Sequence, residues 1–181
     1  KGEVKIEDKI MACNPVLEAY GNAKTNRNDN SSRFGKYVSL YINKETKKTV
    51  GAKMEKYMLE KSRVTHPTAK ERNYHIFYSM LLGFTPEELK KYKLNKKKLK
   101  QYNMLKVTGV FTSSGWPDVE EYNNVCKAYR DMEFKENELD GIWSSTAAPL
   151  LLGEIEFDDS SYDGNSKSFF NNINFSRKQT M

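Results

Sequence analysis

Asn28-Asp-Asn-Ser-Ser-Arg-Phe-Gly-Lys36 is a polar stretch that separates two segments of different pattern. Asn, Asp and Ser side chains bond to nearby backbone groups, so a cluster of them favours a turn or loop. Upstream, apolar residues recur every three or four positions from Ile6 to Tyr20, which is typical of an amphipathic helix. Downstream, β-branched and aromatic residues from Phe34 to Ile42 predict a strand. On this pattern alone, the two serines would be ordinary turn residues.

Three further blocks of sequence give this stretch a wider context. They are NPVLEAYGNAKT over 14–25, LEKSRV over 59–64 and ERNYHIFY over 71–78. Together with the polar stretch, and in this order, they resemble the myosin motor ATPases, in which the stretch is the first of two switch loops. The related loop of kinesins is followed by Ser-His, whereas Phe-Gly-Lys follows Arg33 here, so a kinesin is disfavoured.

The resemblance implies that four side chains of the loop bind ATP and Mg²⁺. Ser32 is the expected Mg²⁺ ligand, since Mg²⁺ prefers oxygen ligands in octahedral geometry. Ser31 is expected beside the attacking water, and Asn28 is expected to donate its amide hydrogens to phosphate oxygens. Arg33 is expected to pair with a carboxylate of the second switch loop, because a guanidinium matches a carboxylate in shape. Ser31 and Arg33 are thus the candidate catalytic residues, and Asn28 and Ser32 the candidate nucleotide-binding residues.

The two other nucleotide loops of the family do not occur in the sequence. It contains no Gly-x-x-x-x-Gly-Lys-Ser/Thr phosphate loop and no Asp-x-x-Gly-Phe-Glu second switch. The resemblance places the first before Lys1 and the second beyond Met181. We therefore expect an internal piece of a larger motor that is not a competent ATPase alone. We also expect Arg33 to be solvated, because its family partner is not in the sequence.

The implied fold class is α/β: part of a P-loop NTPase-type motor domain, mostly helical, with a strand pair from the central sheet. We expect the nucleotide-site helix, the switch loop and the strand pair within residues 1–58. A helical upper subdomain is expected over 59–157, and an exposed polar loop and tail over 158–181. Later helices are predicted around 74–81, 119–129 and 139–150, where apolar residues recur at helical spacing.

The two predicted strands, 34–42 and 50–58, carry apolar residues on both faces. This pattern predicts strands that are covered on each side, as in the interior of a larger sheet. A chain of this size nevertheless lacks much of the family's sheet. We therefore expect Val38, Leu40 and Ile42 to be less buried than their composition demands.

Composition and charge indicate a protein of a reducing compartment. Thirty Lys and Arg against 24 Asp and Glu give a net charge of +6, which by itself does not indicate a nucleic-acid partner. Cys13 and Cys126 lie in helical patterns, and two such cysteines do not predict a disulfide framework. No run approaches a membrane span, and the N-terminal KGEVK lacks the apolar core of a signal peptide. We expect a cytoplasmic, cytoskeleton-associated protein without a membrane partner.

A second functional hypothesis comes from the run KKYKLNKKKLK over 90–100. With Tyr92 and Tyr102 interleaved, it could belong to a basic, noncatalytic nucleic-acid-binding module. Such a run is more often a solvated face, so a nucleic acid is the less favoured partner.

The favoured partner is F-actin, together with the remainder of the myosin heavy chain; light chains would bind only through parts outside this sequence. In myosins a motif like Leu150–Phe157 precedes a surface loop that can touch actin. The corresponding Asp158–Lys167 begins with two acidic residues, which weakens attraction to an acidic filament.

Lys24 and His75 have simpler interpretations. Lys24 could face phosphate, but a solvated lysine is the favoured interpretation. His75 lies in a helical apolar stripe, so we expect a half-buried packing residue and not a base. Two histidines and two cysteines this scattered show no metal-ligand spacing.

Overall fold

The structure is a computed structural model, and it describes residues 6–155. Its α-helices are α1 Ile6–Ala12, α2 Asn14–Gly21, α3 His75–Gly83, α4 Pro86–Lys91, α5 Asn103–Lys106, α6 Asp118–Asp131 and α7 Glu136–Leu152. Its strands are β1 Asn22–Ala23, β2 Ser31–Ser32, β3 Gly35–Ile42 and β4 Thr49–Tyr57, and two short 3-10 helices cover Lys61–Val64 and Lys96–Lys98. The predicted helices and the strand pair are therefore confirmed.

The N-terminal helical stripe breaks once before the polar loop. α1 ends at Ala12, and α2 restarts at Asn14 with Pro15 in its first turn. Proline fits there because the first amides of a helix have no intrahelical partner. Gly21 ends α2, and a Cβ at this position would lie 2.3 Å from the ring of Phe34. Glycine therefore lets the loop return closely beside the helix.

The strand pair is less covered than its composition predicts. β3 pairs antiparallel with β4 along its whole length. Leu40 is 52% exposed and Ile42 is 56% exposed, and Val38 is half-buried. The prediction of strands covered on each side is wrong, and the prediction that these three residues are under-buried is confirmed. The reason is that this sheet has only two strands within residues 6–155.

The core lies in the helices that support the polar loop. α3 is buried over seven consecutive residues, His75–Leu81, because α2, α6 and α7 pack around it. At its end, the ring of Phe84 meets those of Tyr122 and Trp143 edge-on, with centroids 5.7 and 5.3 Å apart. Edge-to-face pairs of this kind contribute about 0.5–1.5 kcal/mol each beyond the area they bury. The loop therefore stands on a rigid helical base.

The lysine run is a solvated surface anchored by its apolar members. Tyr92, Leu94 and Leu99 are buried in the core. Lys91 points outward and pairs with Asp140 at 2.7 Å between Nζ and Oδ1. This arrangement matches the solvated-face interpretation of the run.

The remaining expectations concern the cysteines, a membrane span, the division of the chain and the actin-facing loop. Both cysteines are free, and no helix among the described residues is long and apolar enough to cross a membrane. The division of the chain at residues 58 and 157 stays a prediction. The expected actin-facing loop, Asp158–Lys167, lies outside the described residues.

Candidate nucleotide site

The loop that contains the four predicted site residues leaves α2 and returns beside it. It covers residues 24–33 and is called the switch loop from here on. β1 precedes the loop and pairs antiparallel with β2 near its end. The amide of Arg33 donates to the carbonyl of Gly21 at 2.8 Å, and the amide of Thr25 donates to the carbonyl of Asn28 at 2.8 Å. These backbone bonds close the base of the loop and its first turn.

Asn28 stands exposed at the outer turn of the loop. Its Oδ1 accepts a hydrogen bond from the amide of Asn30 at 2.8 Å, which is an Asx turn. This bond fixes the orientation of the side-chain amide. Its Nδ2 donates to no atom within residues 6–155, and it therefore remains available to an external acceptor.

The two serines of β2 have different surroundings. Ser31 is half-buried, and its Oγ accepts from Nη1 of Arg33 at 3.3 Å. Ser32 is exposed, and its Oγ donates to the carbonyl of Phe34 at 3.1 Å. The structure thus brings Ser31 and Arg33 into contact. No hydrogen bond within the described range joins Asn28 or Ser32 to the other predicted site residues.

Arg33 is not solvated, contrary to the expectation from the sequence. Its Nε donates to Oε2 of Glu60 at 2.7 Å, and its side chain is 31% exposed. The amide of Glu60 also donates to the carbonyl of Arg33 at 3.1 Å. The expectation failed because it considered only the family's distant carboxylate, whereas β3 and β4 return the chain to Arg33 and place Glu60 beside it.

Glu60 is shared between two arginines. Its Oε2 also accepts from Nε of Arg63 at 2.8 Å. Burial alone would raise the pKa of Glu60, but the hydrogen bonds and charges of Arg63 and Arg33 outweigh burial, so this pKa is lowered. Glu60 therefore stays ionised and holds Arg33 at neutral pH.

The outer turn of the loop is held by the segment before α6. Ser113 Oγ donates to the carbonyl of Asp29 at 2.7 Å, and Ser114 Oγ donates to its carboxylate. Lys24 pairs with the same carboxylate, so the interpretation of Lys24 as a solvated lysine is wrong. Hydrogen bonds from Lys24 and Ser114 lower the pKa of Asp29. A Cβ on Gly115 would lie 3.0 Å from Cβ of Asp29, so this contact is close.

His75 supports the loop from within the core. It is fully buried, not half-buried as predicted, because Trp116 stacks on its ring with centroids 4.4 Å apart. Its Nε2 lies 3.2 Å from Oδ1 of Asn30. Burial, together with the charge of Arg72, lowers the pKa of His75 to about 3. The imidazole is therefore neutral, and it acts in packing.

Comparison with known proteins identifies the family of this fold and loop. The family model described as myosin head (motor domain) matches residues 1–177. The chain belongs to the myosin motor-domain family. The resemblance and the expected fold class, part of a P-loop NTPase-type motor domain, are thus confirmed.

Individual relatives agree with the family match. The chain is 43% identical to the Myosin-J heavy chain of Dictyostelium discoideum, over 84% of this chain and 7% of that protein. It is 42% identical to Myosin-1 of Saccharomyces cerevisiae, over 83% of this chain and 8% of that protein. It is 43% identical to unconventional myosin-VIIb of Mus musculus, over 84% of this chain and 7% of that protein. The chain therefore spans less than a tenth of the length of these relatives.

The supports of the loop were missed by sequence reasoning. Glu60 and Arg63 lie in the block LEKSRV, and Glu71 lies in the block ERNYHIFY. These blocks carry the family resemblance, but they predict no contact of these three residues with the loop. Their pairing depends on the path of the chain between them, which no local pattern reveals. The contact of Asp29 with Ser113 and Ser114 spans more than eighty residues. A cluster of small polar residues ahead of α6 was the available signal, and it predicts only a turn.

Proposed function

We propose that this chain supplies the ATP-contacting switch loop of an actin-based motor ATPase, and that catalysis requires further parts of the heavy chain. The observation that supports this most is the contrast within the loop. Asn28 and Ser32 are exposed and their side chains bond to no other side chain among the described residues, while Asn26 and Arg33 bond to the carboxylates of Glu71 and Glu60. A loop that binds a ligand needs free polar atoms on a rigid support.

Ser32 fits the role of a Mg²⁺ ligand. Its Oγ gives its hydrogen to the carbonyl of Phe34, so its lone pairs remain free on the exposed side. Mg²⁺ commonly takes one or two protein oxygens, several waters and the phosphate oxygens of its substrate. Bound Mg²⁺ would neutralise part of the phosphate charge. A single serine hydroxyl held in place by the β2 backbone is sufficient for this chain's share of the ligands.

Asn28, Ser31 and Arg33 have separate tasks in this proposal. Asn28 donates its free Nδ2 hydrogens to phosphate oxygens without adding charge. Ser31 accepts from Arg33, so its hydroxyl hydrogen is free to orient a water molecule near the terminal phosphate. Arg33 uses Nε for Glu60, which leaves Nη2 for a second carboxylate from elsewhere in the heavy chain. The transferred phosphoryl group needs mostly positioning and charge stabilisation, and these residues provide both.

The proposed partners follow from family membership. They are F-actin and the remainder of the heavy chain, in a cytoplasmic, cytoskeleton-associated setting, with light chains bound only by other parts. Asp158–Lys167 is the proposed actin-facing loop. Its acidic start argues for a weak contribution to binding.

The alternative function, a nucleic-acid-binding module, finds no support. The family match covers the lysine run as well as the switch loop. The run is anchored by Tyr92, Leu94 and Leu99 in the core, so its aromatic and apolar members are not free to stack on bases.

The proposal is tested in a heavy chain that contains this segment within a complete motor domain. Ser32→Ala removes the proposed Mg²⁺ ligand, and Ser144→Ala removes an exposed serine of α7 as the matched control. We expect Ser32→Ala to weaken MgATP binding by about tenfold or more, since an oxygen ligand of Mg²⁺ is lost, and Ser144→Ala to leave binding unchanged. Equal MgATP affinity in both variants, measured by calorimetry across a Mg²⁺ series, would contradict the assignment.

A further inference from the structure

We propose that Arg63 is a positioning residue that fixes both ends of the switch loop at once, through two carboxylates. The inference deepens the proposed function, and it rests on that function for its consequence in nucleotide binding. The hydrogen bonds that support this inference are all formed within the chain and involve no ligand.

Arg63 is buried, and its guanidinium is fully engaged. Its side chain is 1% exposed. Nε donates to Oε2 of Glu60 at 2.8 Å, and Nη2 donates to Oε1 of Glu60 at 3.3 Å and to Oε2 of Glu71 at 2.7 Å. Nη1 donates to the carbonyl of Arg72 at 2.9 Å. A planar fork with several fixed donors can satisfy all three acceptors together, whereas a lysine ammonium cannot.

The first arm of this arrangement, the pair of Arg63 with Glu71, reaches the start of the loop. Oε1 of Glu71 accepts from the amide of Asn26 at 3.2 Å and from its Nδ2 at 3.4 Å. The other oxygen of Glu71 is held by Arg63. The position of Asn26 therefore depends on how Arg63 orients this carboxylate.

The other arm reaches the end of the loop. Glu60 binds Arg33 twice, through its carboxylate at 2.7 Å and through its amide at 3.1 Å. Tyr74 donates its hydroxyl hydrogen to the carbonyl of Glu60 at 2.8 Å, which holds the backbone of the same residue from the core side. Arg63 holds the carboxylate of Glu60 in the orientation that Arg33 requires.

The two arms form one unit because their charges balance. Arg33 and Arg63 face Glu60 and Glu71, and removing one member would leave its partner's charge partly buried and unpaired. A displacement at one end of the loop therefore changes the bonds of Arg63, and the other end responds. The two ends, which flank Asn28 and Ser32, are expected to move together and not independently.

Hydrogen exchange on the 181-residue chain, without nucleotide, tests this link. The informative amides are those of Asn26 and Glu60, since each is bonded to one arm. Arg63→Lys keeps the charge but removes the fork, and we expect exchange at both amides to accelerate about tenfold or more, as local opening becomes easier. Lys61→Ala, on the same 3-10 turn, is the control and should leave exchange at both amides unchanged. Core amides of α3 should stay unchanged in Arg63→Lys.

A double-mutant cycle separates a link from two unrelated contacts. Glu71→Gln keeps an oxygen for Asn26 but loses the pairing with Arg63, so exchange at the distant Glu60 amide should accelerate. In the Arg63→Lys background the same change should add less than about a twofold effect there. If Glu71→Gln affects Glu60 equally in both backgrounds, or if Arg63→Lys loosens only one end, the proposal is wrong. Should Arg63→Lys fail to fold, Glu60→Gln and Glu71→Gln measure the same coupling: non-additive effects support it and additive effects refute it.

The consequence for nucleotide is measured separately in a complete motor domain. We expect Arg63→Lys to raise the KM for MgATP by about tenfold with a smaller change in kcat, because it misplaces binding groups. Unchanged KM in a protein with loosened loop ends would overturn the functional half of the inference. Failure of the proposed function gives a different result from failure of this inference. In that case Ser32→Ala would leave MgATP binding intact, while Arg63→Lys would still accelerate exchange at both ends of the loop.

Discussion

The switch loop and the β3–β4 strand pair are neighbours in sequence, yet they are supported in opposite ways. The loop is polar, but its two ends and its outer turn have specific partners: the carboxylates of Glu60 and Glu71, and the contacts of Asp29 with Ser113 and Ser114. The strand pair is apolar, but Leu40 and Ile42 remain more than half exposed. Polar sequence thus does not imply a mobile loop, and apolar sequence does not imply a buried strand. Each depends on whether the rest of the described chain supplies partners.

The largest expected effect concerns the helical base of the loop. The carboxylate of Asp118 accepts hydrogen bonds from Nη1 and Nη2 of the fully buried Arg72, at 3.2 and 2.7 Å. It also accepts from Oγ of Ser79, which in turn accepts from Nε1 of Trp116. Asp118→Ala leaves a buried guanidinium unpaired, and should lower the free energy of unfolding by about 3–5 kcal/mol.

The comparison for that change is Asp140→Ala, whose exposed carboxylate pairs with Lys91 and accepts from the hydroxyl of Tyr92. It should cost much less than Asp118→Ala, since water screens such pairs. Urea unfolding of both variants measures the difference. Equal costs would mean that the buried pair stabilises the chain no more than the surface pair does.

A pair of isoleucines sharpens the comparison between the base and the strand pair. Ile76 of α3 is 1% exposed and Ile42 of β3 is 56% exposed. Ile76→Ala should destabilise the chain by about 2–5 kcal/mol, because it leaves a cavity in a packed core. Ile42→Ala should change stability by about 0.5 kcal/mol or less in the 181-residue chain. A large cost at Ile42 would show that its apolar face is buried in solution.

Arg33 tests the functional side of the loop, in a complete motor domain. Arg33→Ala should leave most MgATP binding in place and slow hydrolysis on the order of 100-fold, as happens when one stabilising donor is lost from a site. Arg130→Ala, an exposed arginine of α6, is the control. Single-turnover kinetics separate binding from hydrolysis. Hydrolysis at the parent rate would rule out the role assigned to Arg33.

The smallest effect concerns pH. Because the pKa of Glu60 is lowered in the folded state, its contribution to stability is complete above its unfolded pKa of about 4.3. The contribution is lost as pH falls through the lower, folded pKa, and the tie to Arg33 is lost with it. Unfolding measured from pH 6 to pH 2 should show a loss of stability in this acid window, and Glu60→Gln should make that loss smaller, while the other paired carboxylates still contribute to it. An identical profile in both proteins would mean that Glu60 does not contribute.

The sequence alone determined the family and the main helices and strands, while the nucleotide-binding role of the loop stays a prediction. A local pattern was sufficient to predict the helices, because each helix signal acts over a few neighbours. Examples are the helical spacing from Ile6 to Tyr20, the proline after Asn14 and the capping residue Thr85. The structure has a capping box at Thr85, and both of its reciprocal hydrogen bonds join Thr85 and Glu88, only three residues apart. The order of the sequence blocks that carry the resemblance likewise needed no coordinates, and the family match agrees with it.

Only the tertiary structure decided what supports the loop and what covers the strands. Glu60 reaches Arg33 across 27 positions and Ser114 reaches Asp29 across 85, because the intervening chain folds back. The burial of His75 depends on Trp116, which belongs to a distant segment. Charges and rings pair according to distance in space, which sequence spacing does not encode. Burial likewise depends on which layers are present, and that is why two apolar strands are exposed while a buried arginine organises the polar loop.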